Sequence, residues 1–173
     1  LCGNAELIIV NNGSDIDLRI PAKLQNGIVV ERVDLDKNYG VGARNIGVDR
    51  AHGDWVIMLD DDSSILPGSI GEYLSRIGPY GGAVGGDISL LDGSHEAGGL
   101  PEVFVGCGCA IRRKAFLEAG GYDSSFGYYA EEYDLCAKLI RNGYSIHHSQ
   151  SLRFLHRKTM TGRVMDEILY RLV

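Results

Sequence analysis

Five consecutive apolar residues, Trp55–Leu59, run straight into three aspartates, Asp60, Asp61 and Asp62. No other junction in the chain limits the fold as much. An apolar run of this length, stopped abruptly, predicts a strand buried on both faces, as in parallel sheets. Three carboxylates cannot follow it into a core, so the chain must leave the sheet there. Open α/β sheets bind ligands at the carboxyl ends of their strands, which makes this the expected address of a site.

The surroundings alternate in kind. Strands are predicted at Glu6–Val10, Ile28–Val33, Ala83–Leu91 and Val103–Arg112, with short ones at Tyr144–His148 and Leu152–His156. Helical spacing marks Val41–Ala51, the stretch after Pro67 (Ile70, Leu74, Ile77), Lys114–Ala119, Glu131–Asn142 and Val164–Leu172. Gly93–Gly99 reads as a loop. The expectation is one three-layer α/β domain over residues 1–173. No apolar stretch approaches the ~20 residues of a membrane helix, and no signal peptide is visible.

Charge sets limits on partners. With 17 Lys and Arg against 23 Asp and Glu the formal charge is −6, which argues against nucleic acid as the main partner. Glycine, 24 of 173 residues, is about twice its usual ~7 % and calls for tight turns or close approaches. Cys2, Cys107, Cys109 and Cys136 are too scattered for a disulfide framework. Cys107 and Cys109, two apart in a strand-like run, would point the same way, but a zinc site wants a C-x2-C pair and a second pair. Reduced, buried cysteines are expected, and with them a cytoplasmic protein.

Crowded carboxylates repel one another unless something positive sits among them, and a hard divalent cation is the natural neutraliser at Asp60–Asp62. An acidic surface turn is the plain alternative. An EF-hand starting at Asp60 fails, because Ile65 stands where Gly is required and Gly71 where Glu is. Glu131, Glu132 and Asp134 form a second acidic group in the first turn of a predicted helix. There they offset the helix dipole, which in turn favours the ionised form of Glu132. They also follow a loop rich in Gly and Tyr, from Gly120 to Tyr129, and rings beside carboxylates suit a sugar. His156 ends an apolar run and is followed by Arg157 and Lys158.

Together these residues resemble family 2 of the glycosyltransferases, which has the GT-A fold. The resemblance begins at ELIIVNNGSD (Glu6–Asp15) and continues through NYGVGARNIGVDRAHGDWVIMLDDDSSILPGSI (Asn38–Ile70), with its N-x-G, A-R-N-x-G and D-x-D elements. It ends in FVGCGCAIRRKAFLEAGGYDSSFGYYAEEYDL (Phe104–Leu135), with R-R, G-G-[FY]-D and E-[ED] signatures. A rhamnosyl- or galactofuranosyl-transferase-like subgroup is the nearest in pattern.

The resemblance implies roles. Asp62 would hold a Mn2+ or Mg2+ ion bridging the donor diphosphate, and His156 would complete the metal shell. Asp60 and Asp61 would lie near the ribose and diphosphate, with Arg44 approaching the nucleotide. Asn11 stands where the family usually has Asp near the base; it keeps an acceptor and adds a donor. Glu132 would be the catalytic base, with Glu131 and Asp134 on the acceptor side. The family's opening strand and helix are not seen, so a mixed three-layer sheet lacking them is expected, in an N-terminally incomplete domain.

The implied activity is metal-dependent, inverting transfer of a sugar from a nucleotide-diphosphate donor to a carbohydrate or glycolipid acceptor, in bacterial polysaccharide or glycoconjugate synthesis. Peripheral membrane association fits such an acceptor. Two rivals share the pattern in part: a nucleotidyltransferase of related fold, and an inactive carbohydrate- or nucleotide-binding domain.

Overall fold

The apolar run before the aspartates does form a strand, β3 (Trp55–Met58), but on the edge of its sheet. The structure, a computed structural model, describes residues 5–15, 19–68, 70–96, 100–126 and 130–158. Cys2, Tyr128, Tyr129 and the predicted helix Val164–Leu172 lie outside the described residues.

The chain opens with two parallel strands, β1 (Glu6–Asn11) and β2 (Val29–Asp34), which pair with each other. Helix α1 (Gly42–Arg50) follows and packs on β1, where a Cβ on Gly47 would come within 3.2 Å of Val10. After β3 come β4 (Ser63–Ile65), α2 (Ile70–Ser75), β5 (Gly81–Leu90) and β6 (His95–Glu96). The chain continues through β7 (Cys109–Arg112), α3 (Arg113–Glu118), α4 (Glu131–Arg141) and β8 (Ser145–His156). The main sheet is mixed, in the order β3-β7-β5-β8-β4, with β6 also paired to β5. Only the β5–β8 pair in it is parallel.

Two apolar cores cover its faces, as the three-layer expectation requires. On one side Val48, Phe116, Leu135 and Leu139, from α1, α3 and α4, pack on Met58, Ala83, Cys109 and Ile111. On the other, Ile70 and Leu74 of α2 meet Val84, Ala110, Leu152 and Phe154. Strand β7 shows the two-residue period directly: Cys109 and Ile111 face one core and Ala110 the other. Helix α4 buries Leu135, Cys136 and Leu139, carries acids in its first turn and bases in its last, and stops at Gly143 with φ +84°.

Several boundaries differ from the sequence reading, each for a physical reason. β3 is only half-buried because it is an edge strand; Arg112 lies 4.5 Å over the Trp55 ring and covers it from solvent. Of Val103–Arg112 only the last four residues are strand, since the chain turns at Val105–Gly108, where the Gly108 N–H donates to the Val105 carbonyl. That turn puts Cys107 in the α2-side core and Cys109 in the other, so the two thiols do not point the same way. Cys107, Cys109 and Cys136 are free and buried, as expected.

The two short strands predicted near the end are one long strand, β8. It bulges between Ser149 and Arg153, whose partners on β5, Gly86 and Asp87, are adjacent. A Cβ on Gly86 would lie 2.6 Å from the Leu152 carbonyl oxygen, so the bulge requires glycine. Where the sequence predicts the Gly93–Gly99 loop, Asp92–Gly93 makes a hairpin turn, Gly93 at φ +84°, and the chain returns as β6; residues 97–99 lie outside the described residues.

Candidate functional site

The aspartates occupy a tight turn between β3 and β4. The Asp60 carbonyl accepts hydrogen bonds from the Ser63 amide and hydroxyl, both at 3.0 Å, and the Asp60 amide donates to Ser63 Oγ at 2.8 Å. β4 then pairs with the end of β8, Ser63 opposite His156, and the Arg157 amide donates to the Asp62 carbonyl at 2.9 Å. This register sets His156 Nε2 3.2 Å from Asp62 Oδ1, both side chains almost fully buried. Ligand atoms of Asp60, Cys107 and His156 also lie within 4.8 Å of one another. Asp61 is exposed at the tip of the turn.

The other ring nitrogen of His156 has its own neighbours. Nδ1 is 2.6 Å from Glu96 Oε2 and 3.4 Å from Cys107 Sγ, and Lys158 Nζ is 2.5 Å from Glu96 Oε1. Burial would raise the Glu96 carboxyl, but Lys158 and His156 outweigh it and hold the group below its ordinary range. Burial, then the acids Asp60 and Glu96, pushes the Cys107 thiol up to about 12.

A second set of contacts leads from Asp60 to α4. Arg44 of α1 pairs with Asp60, lies 5.9 Å over the Tyr122 ring, and donates through Nη1 to the Gly106 carbonyl at 3.1 Å. The Gly106 amide donates in turn to Glu132 Oε1 at 3.2 Å. One peptide unit therefore touches both side chains. A Cβ on Gly106 would fall 2.6 Å from Arg44 Nη1 and 2.7 Å from Glu132 Oε1, so any larger residue here would push the ends of these two side chains aside. Asn45, beside Arg44, binds the Tyr122 backbone twice, accepting from its amide at 2.9 Å and donating to its carbonyl at 2.8 Å. That pair locks α1 to the segment leading into α4.

Glu132 does not behave as its helix position alone predicts. Burial first, then the neighbouring charge of Glu131, raises its pKa above the usual carboxylate range, outweighing the Gly106 amide and Arg44. Glu131 is buried and accepts a hydrogen bond from the Ala130 amide at 2.9 Å. Asp134 pairs with Lys138 at 2.5 Å, one turn along α4, and Lys138 reaches the Gly121 carbonyl at 3.4 Å.

Asn11 is placed differently. Its side-chain amide donates to the Ser14 carbonyl and to Asp34 Oδ1, both at 2.9 Å, and its oxygen accepts from the Ser14 amide. These bonds tie it to the end of the β1–β2 pair, with no hydrogen bond to the aspartate turn. Of the residues singled out from sequence, the structure brings together Arg44, Asp60, Glu131 and Glu132 on one side, and Asp60, Asp62 and His156 on the other. Sequence reasoning missed Glu96, Cys107 as a neighbour of His156, Asn45, and Gly106 as the bridge. Only Asn45 and Gly106 carried a signal, through the A-R-N segment and the Gly-rich run.

The buried Asp62 carboxylate and His156 imidazole, with the partly exposed Asp60 beside them, form a donor set that fits a divalent cation such as Mn2+ or Mg2+.

Comparisons with known proteins bear on the fold and the family. An uncharacterized glycosyltransferase of Bacillus subtilis (strain 168), YwdF, is 37 % identical over 73 residues, 42 % of this chain and 27 % of that protein. S. aureus TarS in complex with UDP-GlcNAc superposes with a TM-score of 0.74 at 16 % identity, over 96 % of this chain and 54 % of that one. GalNAc-T7 with UDP, GalNAc and Mn2+ gives 0.72 at 18 % identity, over 91 % and 38 %. The mannosyltransferase PcManGT of Pyrobaculum calidifontis, in complex with GDP-Man and Mn2+, gives 0.66 at 17 %, over 91 % and 49 %. At these identities the structures share the fold, a GT-A glycosyltransferase fold, and this chain spans about half or less of each relative's length. The Glycosyl transferase family 2 model matches residues 2–88, half of the chain. The chain belongs to the family 2 glycosyltransferases.

Proposed function

We propose that this chain carries the donor site and catalytic base of an inverting, metal-dependent glycosyltransferase. In this reading a sugar moves from a nucleoside-diphosphate donor to a hydroxyl of a carbohydrate or glycolipid acceptor, in bacterial polysaccharide or glycoconjugate synthesis. One observation carries it. The metal-type donors Asp62 and His156 share a site with Asp60, and Asp60 connects through Arg44 and the Gly106 peptide to Glu132. The Mn2+ and nucleotide-sugar complexes of structurally similar proteins support it.

When bound, a divalent cation neutralises charge that develops on the departing diphosphate. Asp62 and His156 would hold it, and unit charges 4 Å apart interact by about 4 kcal/mol at an effective dielectric of ~20. Asp60 and Asp61 serve the ribose and diphosphate, with Arg44 fixing Asp60. Glu132 takes the acceptor proton while the acceptor oxygen bonds to the anomeric carbon and the bond to the diphosphate oxygen breaks. Attack from the face opposite the leaving group inverts the centre. A carboxylate raised toward neutrality by burial is a stronger base than an exposed one, which suits this role. Asn11 contributes to base recognition, and Glu131 and Asp134 shape the acceptor side.

No helix among the described residues is long and apolar enough to cross a membrane. A cytoplasmic enzyme reaching its acceptor at the membrane surface is the corresponding proposal for location. A panel of nucleoside diphosphates and their sugars, read by thermal shift with and without Mn2+, tests donor and metal together. Stabilisation by one base class only with metal is expected, followed by donor consumption. Equal stabilisation in excess chelator overturns the metal role, and absence of donor turnover leaves a binding domain.

A further inference from the structure

We propose that Glu96 is a positioning residue that fixes the ring of His156 so that Nε2 is the nitrogen offered to the metal. The inference deepens the proposed function and rests on its metal site. Glu96 lies 60 residues before His156, on a two-residue strand with no part in the family-type motifs, yet it meets the ring at 2.6 Å. Its two oxygens are used separately: Oε2 faces His156 Nδ1, with Cys107 Sγ at 3.7 Å, and Oε1 faces Lys158 Nζ at 2.5 Å.

The geometry divides the ring between two carboxylates. Glu96 Oε2 takes Nδ1 at 2.6 Å, the place from which a carboxylate orients a metal-ligating histidine. Nε2 is thereby turned toward the aspartates, 3.2 Å from Asp62 Oδ1. The backbone supports the arrangement from both ends. The Asp92–Gly93 turn folds β6 back on β5, with Glu96 opposite Ile88. Lys158, two residues past His156, holds φ +38°, unlike any other non-glycine residue described, and delivers its ammonium to Glu96. A surface ion pair between Glu96 and Lys158 alone would use neither the buried ring nor the second oxygen.

Mn2+ titration followed by electron paramagnetic resonance, with uridine diphosphate present, measures the effect in the intact protein and in Glu96→Ala, Glu96→Gln and Lys158→Gln. Glu96→Ala should bind Mn2+ roughly 10–100-fold more weakly, the usual cost of losing a group that orients a metal-ligating histidine. Glu96→Gln, whose amide oxygen still accepts from Nδ1, should lose less, and Lys158→Gln least. Nitrogen-15 NMR of the Mg2+ and nucleotide complex supplies the signature that a structural role would not move. It should show His156 protonated at Nδ1 and bare at Nε2, a pattern blurred in Glu96→Ala. If wild-type protein binds Mn2+ and Glu96→Ala binds it within twofold, or if Nδ1 is bare, Glu96 has no such role and the transferase reading stands. If the wild type binds no Mn2+, both fall.

Discussion

The two halves of the proposed site are built by different means. Asp62 and His156 are placed by the sheet: a four-residue turn, then a β4–β8 register that sets Ser63 opposite His156. Glu132 is placed by a helix start and a single peptide, Gly106, which also binds Arg44. A ladder of backbone bonds tolerates the loss of any one side chain. A contact running through one glycine does not. The metal half should therefore fail in binding, while the base half should fail in turnover with binding intact.

The largest expected effect breaks the base half alone. Glu132→Gln keeps the shape and removes the basic oxygen, so sugar transfer should fall roughly 10²–10⁴-fold while metal and donor binding persist. Rates from an acceptor assay, set against nucleotide affinity by calorimetry, check it, and parallel loss of both would refute the division. Next comes Gly106→Ala, whose Cβ would crowd Arg44 and Glu132 together. Misplacement on this scale can cost on the order of 10²-fold. Unlike Glu132→Gln, it should also weaken donor binding, since Arg44 positions Asp60.

Asp62→Ala attacks the other half. Stabilisation by a nucleoside diphosphate plus Mn2+ amounts to about 2.7 kcal/mol at ligand 100-fold above its Kd. In Asp62→Ala the metal-dependent part of that gain should vanish, while the ligand-free protein melts cooperatively because the β4–β8 ladder remains. A metal-dependent shift equal to wild type would remove Asp62 from the metal site.

The same contrast explains how much could be read from sequence. A junction of apolar strand and aspartates is a local signal, as is an amphipathic helix such as α4, so both were legible, and the family-type motifs named most of the residues of the proposed site. What stayed hidden depends on register. Glu96 meets His156 only because β6 folds back on β5 while β8 pairs along its other edge. Nothing in a Gly-rich stretch announces that. Cys107 and Cys109 went to opposite cores because a turn, invisible to two-residue periodicity, interrupts the run. The ionisation of Glu132 was misjudged because the dipole of α4 is readable from position and burial is not.

That burial makes pH a sharper probe of the base half. A raised pKa means Glu132 is protonated at higher pH than an ordinary carboxylate, so kcat/KM should fall on acidification before the usual ~4.3 is reached. Glu131→Gln removes the second cause of the shift and should move this limb to lower pH. Stability should follow pH through the same shift. A folded pKa above the unfolded one contributes stability below the unfolded value, and that contribution is lost as pH rises through the folded value. Glu132→Gln should therefore gain in Tm relative to wild type above that window and not below it. An unchanged Tm difference across the range would show that Glu132 is not desolvated.

The smallest effect separates neighbours on one helix. Asp134 lies two residues beyond Glu132, yet its carboxylate is engaged by Lys138 one turn on, and Lys138 also reaches the Gly121 carbonyl. Its partner is therefore a lysine of the same helix, which in turn reaches the loop before α4, and not the Gly106 peptide. Pairs of this i,i+4 kind contribute about 0.3–0.5 kcal/mol, so Asp134→Asn should lower Tm only slightly. Because the proposed role of Asp134 is to shape the acceptor side, its loss should raise the acceptor KM by a few-fold and leave kcat near wild type. Glu132→Gln should do the opposite, collapsing kcat at unchanged KM. Steady-state kinetics of the two variants side by side decide the matter. If Asp134→Asn abolishes kcat while Glu132→Gln turns over normally, the two carboxylates exchange roles, and the Gly106 contact is structural.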